Sequence, residues 1–244
     1  MRYSEIRPDG LLTDYIHAFW TATANGQNLS SEKILPDGCV DIILNFGDHC
    51  KTDDGNFTIK NEKAYLVGPM KRFKTVQMSP DTQLIGIRFK PGAFSSFYKF
   101  TSLHEITDLT VELEKDLSPQ MYPTDQSVWK YLNRFFESKL TAPRHTLFPV
   151  ISDIQTCKGN ISVRDLASRH FITTKQLERN FRHYIGMSPK EFINLIRFRF
   201  VLTAIQDKSS EKSLLAIAFE HGFYDHSHLT NEVRRYTGAV PSEL

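Results

Sequence analysis

The amino-acid sequence predicts an α+β protein in which a β-rich, barrel-like N-terminal domain precedes an all-α domain. Three observations carry that expectation. Up to about Phe89 the apolar residues come in short runs separated by turn chemistry; from residue 145 onward they recur at helical spacing; and the helical part repeats itself at an offset of 51 to 52 residues. The apolar runs at 19–23, 39–44, 64–67, 74–77 and 84–89 read as strands. Between them stand Pro36-Asp37-Gly38, Asp53-Asp54-Gly55-Asn56, Gly68-Pro69 and Ser79-Pro80-Asp81, residue types that preset φ or tolerate φ > 0 and so make turns. Past Pro91-Gly92, Val128, Tyr131, Leu132, Phe135, Phe136 and Leu140 form one apolar helical face, which gives a helix over about 125–140. That helix closes the N-terminal domain or supplies a dimer seam through Phe135 and Phe136.

Composition narrows the class. With 244 residues, 40% hydrophobic and 24% charged, and a net charge of +2, the chain has enough apolar material for one or two packed cores and is neither disordered nor collagen-like. The longest apolar run, 214–219, is far too short to span a bilayer, and the N-terminus lacks a signal-peptide pattern, so a cytoplasmic protein without a membrane partner is expected. Cys39, Cys50 and Cys157 are an odd, widely spaced set, read as reduced thiols and not as a disulfide framework or a zinc site. Divided at Thr141-Ala142-Pro143, the chain gives domains 1–142 and 143–244, with formal charges of −2 and +4. The second also holds six of the nine histidines, a balance compatible with phosphate neutralisation.

Within the second domain, Leu166-Ala167 aligns with Ile217-Ala218, Phe171 with Phe223, Leu177 with Leu229, Phe181 with Val233, Gly186 with Gly238 and Pro189 with Pro241. Each unit has the signals of two short helices joined by a tight turn. In the first, Ser162 with Asp165 caps one helix, Thr173 with Gln176 caps the next, and Gly186 ends it. Ser188-Pro189-Lys190-Glu191 then opens a longer helix to about Gln206. In the second unit, Ser213 caps the first helix, Gly222-Phe223-Tyr224 makes the turn, Asp225 or His226 leads into the next helix, and Gly238 ends it. Two helix-turn-helix units result.

The polar face of each second helix carries the functional reading. Over about 174–184, Lys175, Glu178, Arg179 and Arg182 share one stripe away from Leu177 and Phe181. Arginine can fork onto guanine, glutamate can accept from cytosine, and the flanking cations can hold phosphates. Over about 226–236 the corresponding stripe is His226, Ser227, Thr230, Asn231 and Arg234, with asparagine suited to adenine. A single charged stripe is ordinarily a solvated face; two in register at helix-turn-helix positions favour double-stranded DNA. The 18 residues from Pro189 to Gln206 make a rod of about 27 Å, which with a few residues at each end sets the units about one helical turn apart, so that one chain reads two successive major grooves.

On these residues the segment from 145 to 244 resembles the double helix-turn-helix domain of AraC/XylS-type bacterial transcription regulators. The likeness rests on Val163-Arg164-Asp165-Leu166-Ala167, on Leu177-Glu178-Arg179-Asn180-Phe181-Arg182 with Gly186-Met187-Ser188-Pro189, and on the run from Ile217 through Gly222-Phe223 to Gly238-Ala239-Val240-Pro241. Leu229 and Val233 replace the usual phenylalanines, and the chain stops at Leu244, implying a short last helix. The resemblance implies activation or repression of transcription on double-stranded DNA, with a homodimer partner, a small-molecule effector and RNA polymerase as further candidates. The N-terminal part resembles an uncharacterised domain found ahead of such units, through Leu35-Pro36-Asp37-Gly38-Cys39-Val40-Asp41, Val67-Gly68-Pro69 and Gly86-Ile87-Arg88-Phe89-Lys90-Pro91-Gly92-Ala93. That likeness implies a barrel-like or cupin-like sensor or dimerisation module. In the plainer reading the same residues are turns, a core thiol and a strand-to-helix corner.

The rival class is an enzyme or ligand-binding protein whose activity resides in the β domain. His17, His49 and His104 are scattered, no nucleophile elbow, phosphate loop or dinucleotide fingerprint is present, and Asp41 has no second carboxylate close in sequence. His226 and His228 point about 200° apart on a helix and cannot chelate together. No catalytic residues, cofactor or metal are therefore expected.

Overall fold

The computed structural model describes residues 1–24, 28–120, 128–207 and 212–244. The N-terminal domain begins with β1 (Arg2–Ile6), β2 (Ile16–Thr23), β3 (Ser30–Ile34), β4 (Val40–Asn45) and β5 (Cys50–Thr52). It continues with β6 (Phe57–Ile59), β7 (Lys63–Val67), β8 (Lys74–Met78), β9 (Gln83–Phe89) and β10 (Thr110–Glu112), and ends with helix α1 (Val128–Lys139). The strands do not close into a barrel. They form two open antiparallel sheets, ordered β1-β2-β9-β4-β7-β10 and β3-β8-β5-β6, which corrects the barrel-like expectation. Alternation specifies the inner and outer face of a strand but says nothing about whether its sheet returns to its own first strand.

The large sheet is covered on both faces. Along β9, Ile85, Ile87 and Phe89 point to one side, where they meet Phe19, Ile42 and the Leu132 and Phe136 side chains of α1. Leu84 points to the other and joins Trp20, Cys50, Ile59, Tyr65 and Met78 between the sheets. Helix α1 thus closes its own domain: Phe136 is fully buried and packs edge-on against Phe89 and Phe97, while Phe135 remains partly accessible. The seam suggested for Phe135 and Phe136 loses its larger half to the core. Residues 125–127 of the expected helix lie outside the described residues. Where β2 crosses β9, Trp20 faces Gly86, and a Cβ at residue 86 would fall inside the indole, so only glycine fits under that ring.

The second domain comprises α2 (Leu147–Thr156), α3 (Val163–Arg169), α4 (Thr174–Tyr184), α5 (Pro189–Gln206), α6 (Leu214–Glu220) and α7 (His226–Thr237), with a last 3₁₀ turn at Pro241–Glu243. The sequence's caps are present. Ser162 Oγ accepts from the Asp165 N–H, Thr173 from Gln176, Ser213 from Ala216, and Asp225 from His228, while Ser188 and Glu191 make a reciprocal box at the start of α5. One core holds both units, with Leu166, Leu177, Phe181, Phe192, Phe198, Ala218, Leu229 and Val233 at most 1% exposed.

The repeat needs one correction. Ile172 N–H bonds the Ala167 carbonyl just as Phe223 N–H bonds that of Ala218, so Phe223 corresponds to Ile172, not to Phe171. Phe171 corresponds to Gly222, and the second turn carries one extra residue before its cap. Both positions have positive φ, +53° at Phe171 and +72° at Gly222, and the Phe171 ring is 97% exposed. A bulky side chain there is strained with no burial in return. Phe171→Gly should stabilise the second domain by about 0.5–1 kcal/mol, measured as a rise in the denaturant midpoint of its helical circular dichroism; a fall in that midpoint would show that the ring makes compensating contacts.

The two domains meet along the C-terminal ends of α4 and α7. The Gly186 carbonyl accepts from Thr107 Oγ1 at 2.6 Å and His104 Nδ1 at 3.1 Å, and the Arg182 carbonyl accepts from Ser102 Oγ at 3.3 Å. At the end of α7 the Thr237 carbonyl accepts from Lys33 Nζ at 3.2 Å, and the Phe73 ring lies against Gly238. Between these ends, Lys71 pairs with Glu191 at 3.1 Å and Gly38 packs on the Phe192 ring.

Candidate nucleic-acid interface

Helices α4 and α7 are the second helices of their units, and each is amphipathic for the same reason. Leu177 and Phe181, and Leu229 and Val233, are fully buried at i and i+4, which turns the opposite stripe to solvent. On α4, Lys175, Arg179 and Arg182 are exposed and Glu178 is half-buried. On α7, His226, Ser227, Asn231 and Arg234 are exposed and Thr230 is half-buried, its hydroxyl donating back to the His226 carbonyl at 2.8 Å. Each stripe therefore lies on one face of one helix. The side chains are not equally free: Arg179 has no ion pair or hydrogen bond among the described residues, whereas Arg182 lies 3.8 Å from Glu178 and 3.3 Å from Nε2 of His104. Asp225 at the start of α7 is spent on its cap, which leaves Asn231 and Arg234 as the long polar groups of that stripe.

Two groups of residues escaped sequence reasoning. Ser102, His104 and Thr107 reach the end of α4 across 79 to 82 residues of chain, and Lys33 reaches α7 across 204; no local pattern marks such partners. The second group is a cavity of about 110 Å³ between the two sheets. Its walls are mostly apolar, and at one end Asp37, Asp41 and Arg88 converge. Asp37 also makes the turn that its sequence predicts, its carboxylate accepting the Cys39 N–H at 2.9 Å while Gly38 takes φ +78°. Asp41 accepts from Trp20 Nε1 at 2.7 Å and lies 3.3 Å from Arg88 Nε. Burial pushes the Asp41 carboxyl above the usual range, Arg88 opposes the shift, and Asp37 adds to it. Burial likewise holds the Cys39 thiol well above its ordinary value, and all three cysteines are free.

Among the described residues no three His, Cys, Asp or Glu side chains are grouped to hold a metal ion, and no helix is long and apolar enough to cross a membrane.

A tandem pair of helix-turn-helix units on one core, beside a two-sheet domain, is a geometry suited to presenting two helices to DNA grooves. Comparison with known proteins shows what each part of the chain is similar to. Residues 166–244 match the family described as Helix-turn-helix domain, and residues 4–112 match Domain of unknown function (DUF6597). The transcriptional activator RhaS of Escherichia fergusonii is 30% identical over 84 residues, covering 34% of this chain and 30% of that protein. An uncharacterized HTH-type transcriptional regulator of Haemophilus influenzae is 28% identical over 94 residues, covering 38% of this chain and 31% of its own length. The chain thus spans less than a third of the curated relatives it matches. Across both domains the fold is similar to that of ToxT from Vibrio cholerae, with a TM-score of 0.53 at 14% identity over 92% of this chain and 97% of that one. The C-terminal domain is thus similar to the helix-turn-helix domains of transcription regulators.

Proposed function

We propose that the protein is a sequence-specific transcription regulator, and not an enzyme, that lays α4 and α7 in two successive major grooves of double-stranded DNA. Lys175, Glu178, Arg179 and Arg182 would contact the first groove and its phosphates; His226, Ser227, Thr230, Asn231 and Arg234 the second. The carrying observation is that both helices turn a polar stripe to solvent at the same place in two units joined by the 18-residue α5. Such a helix is about 27 Å long at 1.5 Å per residue, and successive grooves on one face lie about 34–36 Å apart. In this reading residues 1–142 form the controlling unit, with the intersheet cavity as the place for a small effector, and the protein works in the cytoplasm. The name of the RhaS relative favours activation, which places RNA polymerase among the partners.

Arg179 and Arg182 test the assignment. Arg179, exposed on the early half of α4, would read a base, so Arg179→Ala should weaken the preferred site by about 1–3 kcal/mol and relax specificity at one base pair. Arg182 lies toward the phosphate-facing end, so Arg182→Ala should weaken all sequences alike and lower the salt slope by about one. Binding isotherms on matched and mismatched duplexes across a salt series separate the two. Equal loss on every sequence for Arg179→Ala would contradict base readout by α4.

A further inference from the structure

We infer that the cavity between the two sheets is a site for a small apolar amine, its body among Trp20, Ile43, Ile59, Met70 and Met78 and its ammonium held between Asp41 and Asp37. The inference deepens the reading of the N-terminal domain as an effector domain and rests on it. Size sets the first limit: a dry engineered cavity of about 150 Å³ takes benzene, so about 110 Å³, open to solvent, suits a short branched chain or a single ring that is not wholly enclosed.

Charge sets the second. Arg88 Nε is shared by two carboxylates, at 3.4 Å from Asp37 and 3.3 Å from Asp41, both longer than the roughly 2.7–2.9 Å of a full charge-assisted bond. Of the other cations nearby, Arg199 is exposed, stands outside the lining and reaches only the Asp37 carbonyl at 3.5 Å, and two more are paired. Lys74 Nζ, on the wall, lies 2.5 Å from Asp53 and 2.6 Å from the Asp108 carbonyl, and the Met1 ammonium lies 3.2 Å from Glu32. Among the residues that line the polar end, one guanidinium facing two carboxylates leaves an excess negative charge. A carboxylate head would add a third anion to that end; an ammonium would balance it and fill acceptor sites on Asp41 that Trp20 and Arg88 leave open. The Tyr3 and Trp20 rings, with centroids 6.0 Å apart, add π faces beside the same end.

The wall of the cavity is also the grip on the DNA-binding domain. Leu35, Asp37 and Cys39 line it, while Gly38 between them packs on Phe192 and Leu195 of α5, and the Asp37 carbonyl accepts from Arg199 at 3.5 Å. Gly68, Met70 and Lys74 line it, while Pro69, Lys71 and Phe73 touch Gly186, Glu191 and Gly238. An occupant that draws Asp37 from Arg88 therefore acts on the same turn that seats α5, and cavity occupancy changes the affinity for DNA.

The test uses the full chain with three isosteric probes, benzylamine, benzyl alcohol and benzoate, titrated by calorimetry and by Trp fluorescence, in parallel with anisotropy on a duplex selected from a random library. The expected result is saturable benzylamine binding at least tenfold tighter than that of benzoate, lost by tenfold or more in Asp41→Asn and, should that variant misfold, in Asp37→Asn, with circular dichroism verifying the fold. A change of threefold or more in the DNA dissociation constant on adding benzylamine supports the coupling. Benzoate binding as tightly as benzylamine, or no benzylamine binding to folded protein that still binds DNA, overturns the amine site and leaves the regulator reading standing. Benzylamine binding by folded protein that selects no DNA sequence overturns the regulator reading and leaves the site standing.

Discussion

Phe181→Ala is expected to destabilise the second domain by about 3–5 kcal/mol and to abolish sequence-specific DNA binding with it. The Phe181 ring is wholly buried, packs against Phe192 of α5 at 5.8 Å between centroids, and its carbonyl receives the N–H groups of Ile185 and Gly186 where α4 ends. Truncation removes the transfer free energy of the ring and leaves a cavity between α4 and α5. Against a typical total of about 5–15 kcal/mol, that loss leaves the first helix-turn-helix unit marginal. Both tryptophans, Trp20 and Trp129, lie in the N-terminal domain, so their fluorescence follows that domain and helical circular dichroism mainly the other. The helical transition should move to lower denaturant with the larger shift; a loss below about 1 kcal/mol would show that the site collapses around the gap.

Gly86→Val should do the complementary damage. Residue 86 sits beneath the Trp20 indole, and that indole is pinned by its bond to Asp41, so the ring cannot swing aside without leaving its own N–H unmet. Overpacking of about 1–3 kcal/mol adds to the similar cost of the unmet polar group, about 2–6 kcal/mol in total. The cooperative Trp transition should vanish or fall to much lower denaturant while the helical signal of the second domain persists. Wild-type fluorescence unfolding in the valine variant would mean that the β2–β9 crossing is looser than its geometry.

How much of this was legible in the sequence depended on how local the cause was. The helix caps at Ser162, Thr173, Ser188 and Ser213 each close within three residues, and those helices begin where their caps place them. Strands β2, β4, β7, β8 and β9 announce themselves by alternating or continuous apolar runs. Strand β3 reads Ser-Ser-Glu-Lys-Ile and every residue of β1 is exposed, so both exist because a neighbour offers an edge, Ser30 opposite Met78 and Arg2 opposite Thr23. The split into two open sheets, the seat of Gly186 on Thr107 and the convergence of Asp37 and Asp41 on Arg88 are likewise products of long-range pairing. The repeat register slipped at Phe171 for a subtler reason: a phenylalanine occupies a backbone position where the second unit has glycine, so matching by residue type overrode matching by conformation.

The central claim is that one chain reads DNA with two helices. Hydroxyl-radical footprinting on a selected duplex measures it directly, comparing the wild type with Asn231→Ala. The account predicts two protected patches on one face of the duplex, about 10–10.5 base pairs apart, with the substitution erasing base preference only in the second. A single patch indifferent to Asn231→Ala would contradict it, leaving DNA contact to the first unit alone.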